Sequence, residues 1–391
     1  VFLNQLIVSD KPYYSVKATP GQDITLFNTG FPSGRLHKFY LYSWDASPIN
    51  SADFKYSNSA ETPLVLHQDN ATILANLKGT QISANINAYT SSSQRKFAED
   101  SQGHLHSVYE SLGDVWYEKS TNNGTTWEIM NGGKPVNAFW ETSNAKSPAI
   151  SISTDGLDFI YITYQSSRDL YGSEIPTVLL AHIYPDTVYW QNTVYPFNGA
   201  SYSDNFQPAL VAFNGGAVVI FNPPQWTGWG LHGIKKNVNS SHSPTSSTEY
   251  YIPNSDINST SPSIAQGGGR FHLAFVHQGY QVRYLSWNID DNPISSNIYS
   301  IVSQGSGYYN NIIPSISVTA TAYPIISWVG KLYGTMNKAI LRRGQISGST
   351  ISWDSFYQVG TNVQNAHNNS SRNYPEEQTV LVWNEGTTNT V

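Results

Sequence analysis

Short apolar segments recur along the chain, and each is followed by a polar turn and then a strongly β-prone strand. The clearest copy is Gly103–Trp127, and looser copies begin at Ser147, Gln207, Ser261 and Ile313. The apolar anchors are separated by 60, 54 and 52 residues, and they are Ile150, Leu210, Ile264 and Ile316. This pattern predicts one structural unit of several strands, repeated around or along the molecule.

A repeat of roughly 40–50 residues or a little more, with several strands in each copy, is typical of a β-propeller. One blade cannot bury both faces of its sheet, whereas a ring of blades can. The sequence therefore predicts an all-β fold with a propeller over residues 91–391. We expect about six blades, with seven possible, and a last blade that is incomplete or closed by another segment.

Residues 1–90 do not fit the repeat. Short strands separated by turns are predicted there, at Asp23–Phe27, Lys38–Trp44, Pro63–His67 and Ala71–Leu77. Several short strands of this kind indicate a small β-sandwich-like N-terminal domain. The alternative is that Arg35–Asn70 is an eroded blade.

The second strands of the blades suggest where a ligand site would lie. They are predicted at His104–Tyr109, Asp158–Tyr164, Ala217–Phe221, Arg270–His277, Tyr323–Val329 and Gln378–Trp383. Equivalent strand ends gather around the axis of a propeller, where their side chains could line a pocket. The candidate ligand-binding residues are Glu110, Gln165, Arg168, Asn222, His277, Trp328, Trp383 and Glu385. Their mixture of aromatic, amide and charged groups suits a glycan or a peptide, although such residues could also satisfy blade edges and loop backbones.

Composition narrows the class of protein. Charged residues make up 12% of the 391 residues, about half the usual share, while aromatic residues reach 13%. The net charge is −6 and no Lys/Arg run exceeds two residues, which argues against nucleic-acid binding. No apolar run approaches the roughly 20 residues of a transmembrane helix. There is no cysteine, and the chain starts at Val1 without a signal peptide, as a mature or trimmed product would. The charge-poor surface favours an extracellular or cell-surface location.

One loop carries a family resemblance. Residues 120–127 read STNNGTTW, which matches the pattern S-x-D-x-G-x-x-W with an asparagine in place of the aspartate. It resembles the Asp-box of the bacterial neuraminidase repeat. The matching residues are Ser120, Asn122, Gly124 and Trp127. The resemblance implies a sialidase-like propeller, with the box as a structural turn between the third and fourth strands of a blade and away from any active site.

The same resemblance sets requirements for sialidase activity. Such an enzyme would need three arginines for the substrate carboxylate, a Tyr–Glu nucleophile pair and an Asp acid/base. The chain has only eight arginines and lacks the family's Arg-Ile-Pro motif. Arg342 and Arg343 are adjacent on a predicted strand, so they should point to opposite faces.

The predicted function is therefore non-catalytic: binding of a glycan or an extracellular protein through one propeller face, or a part in a surface assembly. The alternative is a glycoside hydrolase with carboxylates in the central funnel, for which Glu110 and Glu385 are the first acids to inspect and Asp169 the next. A purely architectural role is the third option. Oligomeric state is left open.

Other motifs carry weaker signals. Trp226 and Trp229 lie in a Pro/Gly loop, where they could stack on sugars or plug a gap between blades. His104 and His106 share one strand face, but without an obvious acidic partner they are predicted to be structural. No cofactor is predicted, although Ca²⁺ is conceivable at the oxygen-rich turns 155–158 and 288–292.

Overall fold

A computed structural model describes most of the chain. The described residues are 2–3, 23–28, 39–57, 61–68, 70–80, 83, 85, 88, 95–139, 143–153, 157–170, 173–196, 206–222, 230–291, 294, 297–303, 308–332, 337–370 and 379–385. Nearly all regular structure in them is β, with two 3₁₀ turns at Asn131–Gly133 and Val136–Phe139. None of the helical segments within these ranges is long and apolar enough to cross a membrane.

The N-terminal region contributes two small sheets. Its strands are β1 (Phe2–Leu3), β2 (Asp23–Asn28), β3 (Phe39–Ser47), β4 (Ala52–Phe54), β5 (Glu61–Leu66) and β6 (Thr72–Gly79). One sheet has the order β1-β2-β5-β4, and the other pairs β3 with β6. Trp44 of β3 shares an apolar cluster with Leu64 and Leu66 of β5, so the two sheets pack together. The predicted boundary of an N-terminal domain at residue 90 stays a prediction.

The repeats form antiparallel sheets that we number as blades. Blade one contains β7 (Phe97–Glu99), β8 (Leu105–Ser111), β9 (Asp114–Ser120) and β10 (Glu128–Ile129). Blade two contains β11 (Ser143–Ile152), β12 (Ile160–Leu170), β13 (Ser173–Ile183) and β14 (Val188–Pro196). Blade three contains β15 (Ala209–Phe213), β16 (Gly216–Phe221), β17 (His232–Val238) and β18 (Pro244–Tyr251).

The remaining sheets continue the series. Blade four contains β19 (Ser259–Gly267), β20 (Arg270–His277), β21 (Gln281–Asn288) and β22 (Asn297–Ile301). Blade five contains β23 (Tyr308–Val318), β24 (Pro324–Leu332), β25 (Lys338–Ser347), β26 (Thr350–Trp353) and β27 (Tyr357–Val359). The sixth sheet pairs only β28 (Val363–Ser370) with β29 (Thr379–Glu385) among the described residues.

Hydrogen bonds between neighbouring blades follow the period of the sequence. The Ala212 amide donates to Ser151 Oγ at 2.9 Å, across 61 residues, and the Ser261 amide donates to Gln207 Oε1 at 3.1 Å, across 54 residues. Two further bonds span 53 residues each, from the amides of Ile316 and Asn368 to the hydroxyls of Ser263 and Ser315. From blade two onward, the first strand or the residues just before it are therefore joined to the first strand of the next sheet.

The core consists of separate apolar layers between consecutive blades. In β12, Ile162 faces blade one with Val108, while the adjacent Tyr161 faces blade three with Val219. This division arises because successive side chains of a strand point to opposite faces of its sheet. Similar layers join blades three and four, four and five, and five and the sixth sheet. Both faces of each middle blade are thus covered by neighbours, and the predicted all-β propeller fold is confirmed; the number of blades stays a prediction.

The N-terminal strands cover the free face of blade one. Lys78 of β6 lies fully buried, donates to the Tyr109 hydroxyl, and has its ammonium 3.9 Å from Glu118 Oε1. Tyr109 in turn donates to that carboxylate. Burial lowers the pKa of Lys78 to about 8, and Glu118 opposes this shift. A polar triad therefore ties the N-terminal region to blade one.

Candidate functional site

Because the first and second strands of a blade are antiparallel, the start of the first lies beside the end of the second. These strand ends lie on one face of the propeller, and we call this region the axial edge. At four equivalent positions a residue with positive φ precedes a proline: Ser147 (53°), Gln207 (42°), Ser261 (52°) and Ile313 (54°). In β11, β19 and β23 the pairing register shifts beside this residue. A bulge bends each strand and re-aims its side chains. Such outliers are often found at binding sites.

An amide network runs along this edge across three blades. Gln165 Oε1 of blade two accepts the Phe206 amide at 3.1 Å, and the Phe206 carbonyl accepts the Asn222 amide at 2.8 Å. Asn222 Nδ2 then donates to Gln207 Oε1 at 3.2 Å, which also accepts from Ser261 of blade four. The structure thus brings the predicted Gln165 and Asn222 together. Gln207 and Ser261 were missed as site residues, although the prolines after them were a detectable signal.

A second cluster lies beside the network, at the end of β20. His277 is 5% exposed, and its Nδ1 lies 3.1 Å from Asp256 Oδ1 and 3.3 Å from Ser259 Oγ. Burial and the positive charge of Arg283 lower the pKa of His277, while Asp256 raises it. Ser259 and Asp256 approach the same ring nitrogen, so His277 does not relay a proton from one to the other. Its Nε2 has no hydrogen-bond partner among the described residues.

Glu110 lies at the same edge in blade one and is half-buried. Its backbone carbonyl accepts the Ser83 hydroxyl, which fixes the strand end. Lys96, just before β7, is buried and donates to the carbonyl of Pro148 in blade two. Burial lowers the pKa of Lys96 to about 7, and the charge of Glu110 acts in the opposite direction. The charges of Glu110 and Lys96 therefore lie close enough to influence each other.

The sixth sheet presents Trp383 and Glu385 at the end of β29. Trp383 Nε1 donates to Glu385 Oε1 at 2.9 Å, and the Thr361 amide donates to the same oxygen at 3.1 Å. These bonds, with that from Trp383 the larger, lower the pKa of Glu385. Both residues are exposed.

Four predicted site residues lie elsewhere or have side chains outside the description. Trp328 is fully buried between blades four and five, because β24 continues to Leu332 and the residue is not at a strand end. As placed, it is a core residue. Trp226 and Trp229 lie outside the described residues, and Arg168 is described only as a backbone position in β12. The ligand-binding role of the whole set stays a prediction.

The loop between β9 and β10 is held by its own side chains. Asn122 Oδ1 accepts the Thr126 amide at 2.9 Å, and Ser120 Oγ accepts the Gly124 amide at 2.9 Å. Gly124 has φ 79°, which disfavours any residue with a β-carbon. Trp127 Nε1 donates to the Gly124 carbonyl at 3.0 Å and its ring meets Phe97 edge-on. The four residues therefore stabilise a turn.

The two histidines and the described part of the oxygen-rich turn 288–292 contact other protein groups, whereas residues 155 and 156 of the other turn lie outside the described residues. His104 and His106 both bond Asp100 Oδ2, at 2.9 and 3.2 Å, so the expectation of no acidic partner is wrong. In the turn after β21, Arg270 donates to Asn288 Oδ1 and Lys235 to the Ile289 carbonyl, so two cations already use its oxygens. Within the described ranges no cluster is arranged to hold a metal ion.

Two groups that sialidase-like chemistry would require, arginines and a Tyr–Glu pair, can be compared with the burial of the residues present. Arg342 is 7% exposed and donates to the carbonyls of Val302 and Asp354, while Arg343 is exposed on the other face. The Tyr109–Glu118 pair resembles a nucleophile and its base, but both side chains are fully buried under the N-terminal strands. These groups stabilise the fold, and neither is placed to act on a substrate.

Similarity to known proteins is limited to solved structures of low sequence identity. No protein-family model matches, and no curated protein matches. Among solved structures, a sialidase from Trypanosoma rangeli bound to 2,3-difluorosialic acid is 11% identical, with TM-score 0.46, over 82% of this chain and 55% of that one. A xylan beta-1,4-xylosidase from Bacillus halodurans is 11% identical, with TM-score 0.39, over 68% and 55%. An alpha-L-arabinofuranosidase from Clostridium thermocellum is 14% identical, with TM-score 0.37, over 67% and 92%. The chain thus spans about half the length of the first two.

Proposed function

We propose that this chain is a glycoside hydrolase whose site lies at the axial edge, with Glu110 as its principal acid. The observation that carries the proposal is the half-buried Glu110 beside the buried amine of Lys96. A half-buried carboxyl group can act as the general acid or base towards a glycosidic oxygen. The second carboxylate of the site would come from Asp256 or Glu385 at the same edge.

This proposal replaces the sequence-based prediction of a non-catalytic binding protein. That prediction is wrong against the comparisons, because the similar structures that carry an enzyme name are a sialidase, a xylosidase and an arabinofuranosidase. The sequence identity to these structures is only 9–14%, so the similarity concerns the fold and not the site residues. The choice of Glu110 and of the axial edge therefore rests on the side chains themselves.

The test is hydrolysis of a substrate panel: nitrophenyl β-xyloside, nitrophenyl α-L-arabinofuranoside and methylumbelliferyl sialoside. We expect the wild type to cleave at least one, and Glu110→Gln to lower kcat by about 10²–10⁴-fold, the usual contribution of an acid or base. Glu128→Gln is the matched control, since Glu128 is exposed on the fourth strand of the same blade. No cleavage by the wild type, or full activity of Glu110→Gln, would refute the proposal.

Two finer assignments belong to the same proposal. The loop at residues 120–127 is proposed to be a degenerate Asp-box, supported by the bonds of Asn122 and Ser120 described above. The protein is proposed to meet a glycan partner outside the cell or at its surface, supported by its low share of charged residues, 12%.

A further inference from the structure

We propose that the boundary between blades three and four holds a saccharide subsite in which Asn222 Oδ1 and His277 Nε2 accept hydrogen bonds from sugar hydroxyls. This proposal depends on the proposed glycosidase function in one respect: it takes the bound sugar to be the substrate. Both residues lie at the axial edge, at the end of the second strand of their blades.

Asn222 offers an acceptor that the protein leaves unsatisfied. The residue is only 9% exposed, its Nδ2 donates to Gln207 Oε1, and its Oδ1 has no hydrogen-bond partner among the residues that the structure describes. A buried carbonyl without a donor costs roughly 1–3 kcal/mol. A ligand hydroxyl that fills this position recovers that loss, so the atom favours a donor-rich ligand.

His277 offers a second acceptor of fixed orientation. Asp256 holds Nδ1–H at 3.1 Å, which leaves Nε2 as the unprotonated nitrogen of the neutral ring. Ser259 also contacts Nδ1, and two residues later Ser261 bonds the Gln207 side chain that holds Asn222. The two acceptors are thus parts of one connected structure.

The surroundings suit a sugar and not a small anion. Tyr280, in the turn after His277, is 44% exposed and its hydroxyl donates to Gln278 Oε1 at 2.8 Å. Ile257, next to Asp256, is 42% exposed. Apolar and aromatic surface beside hydrogen-bond acceptors matches the faces and hydroxyls of a pyranose or furanose ring. An anion would instead require donors at these two positions.

The charges facing His277 give the subsite a testable pH dependence. Protonation converts Nε2 from an acceptor into a donor, so affinity should fall on the acid side. Asp256 raises the pKa of His277 and Arg283 lowers it. Asp256→Asn should therefore move the loss of affinity to lower pH, and Arg283→Gln should move it to higher pH. A histidine that merely supports the loop would show neither shift.

The experiment is calorimetric titration of Glu110→Gln protein, which binds without turnover, with xylotriose, arabinotriose and sialyllactose. We expect at least one sugar to bind, and Asn222→Ala and His277→Gln in that background each to weaken it about tenfold. Asn237→Ala is the control, because Asn237 lies at the opposite end of blade three. Measurements from pH 5 to 8 on the Asp256 and Arg283 variants complete the set.

The outcomes separate the two proposals. If the wild type cleaves a glycoside but both subsite variants bind within twofold of their parent, the subsite is refuted and the glycosidase proposal stands. If a sugar binds at the subsite and nothing is cleaved, the glycosidase proposal alone fails. If no sugar binds and none is cleaved, both fail.

Discussion

A buried histidine that contacts a half-buried one between blades two and three makes stability depend on pH. His182 is fully buried, its Nδ1 bonds the Ile160 carbonyl at 3.0 Å, and its Nε2 lies 2.9 Å from Nδ1 of His242. Because the carbonyl requires a proton on Nδ1, Nε2 accepts from His242. Burial, and to a lesser degree the proximity of His242, lowers the pKa of His182 to about 4, against the 6.5 of an exposed histidine.

The pKa of His182 differs between the folded and unfolded states, and this difference sets how the free energy of unfolding changes with pH. The unfolded chain binds a proton below pH 6.5 while the folded protein does not, so the stabilisation is complete above 6.5 and is lost as pH falls. With a pKa of about 4 in the folded state, the loss is roughly 2 kcal/mol at pH 5 and roughly 3 kcal/mol below pH 4.

Urea unfolding of the wild type and His182→Phe at pH 7.5 and pH 5 measures this loss. Phenylalanine keeps an aromatic ring among Phe159, Tyr161 and Trp190 but does not titrate. The hydrogen bonds of His182 that the substitution removes lower stability equally at both pH values. The difference in unfolding free energy between pH 7.5 and pH 5 should therefore be about 2 kcal/mol smaller in His182→Phe than in the wild type. Tyr189→Phe, in the same ring cluster, is the control. A His182→Phe protein with the full pH dependence of the wild type would contradict the argument.

Three further changes test how the fold is held together. Glu118→Ala should cost about 3–5 kcal/mol in urea unfolding, because it removes the carboxylate facing the buried Lys78 ammonium; a loss below about 1 kcal/mol would contradict this. Asn122→Ala should cost about 1 kcal/mol in thermal unfolding while Asn122→Asp retains stability, since only alanine loses the acceptor for the Thr126 amide. Trp328→Ala should cost about 3–5 kcal/mol through the cavity it leaves, and unchanged unfolding would show that the residue is not in the core.

The strands were largely predictable because their signal is local. Blade four shows this most clearly: the predicted second strand Arg270–His277 is the observed β20, residue for residue. The repeat also has a local cause, since each copy must place an apolar anchor such as Ile264 or Ile316 between two sheets. Errors appeared where strands extend further than turn residues suggested. The second strand of blade two runs to Leu170, which leaves Gln165 within the strand and buried.

The candidate site was only partly predictable. The site predicted from the sequence and the site proposed from the structure share Glu110, Asn222 and His277, because strand ends can be placed from sequence. Gln207, Asp256 and Lys96 were missed, since their roles depend on contacts with other blades or with a returning loop. Local pattern carries no information about which distant side chain supplies a hydrogen-bond partner.

The sequence alone determined the order of strands, the period of the blades and the alternation that buries both faces of each sheet, because these depend on neighbouring residues and on apolar area. Tertiary structure decided which polar groups are paired and which are not. It placed Glu118 beneath Lys78, left Asn222 Oδ1 without a donor from the described part of the chain, and buried Trp328. These outcomes depend on distances between residues tens of positions apart, which only the packing of the sheets against one another defines.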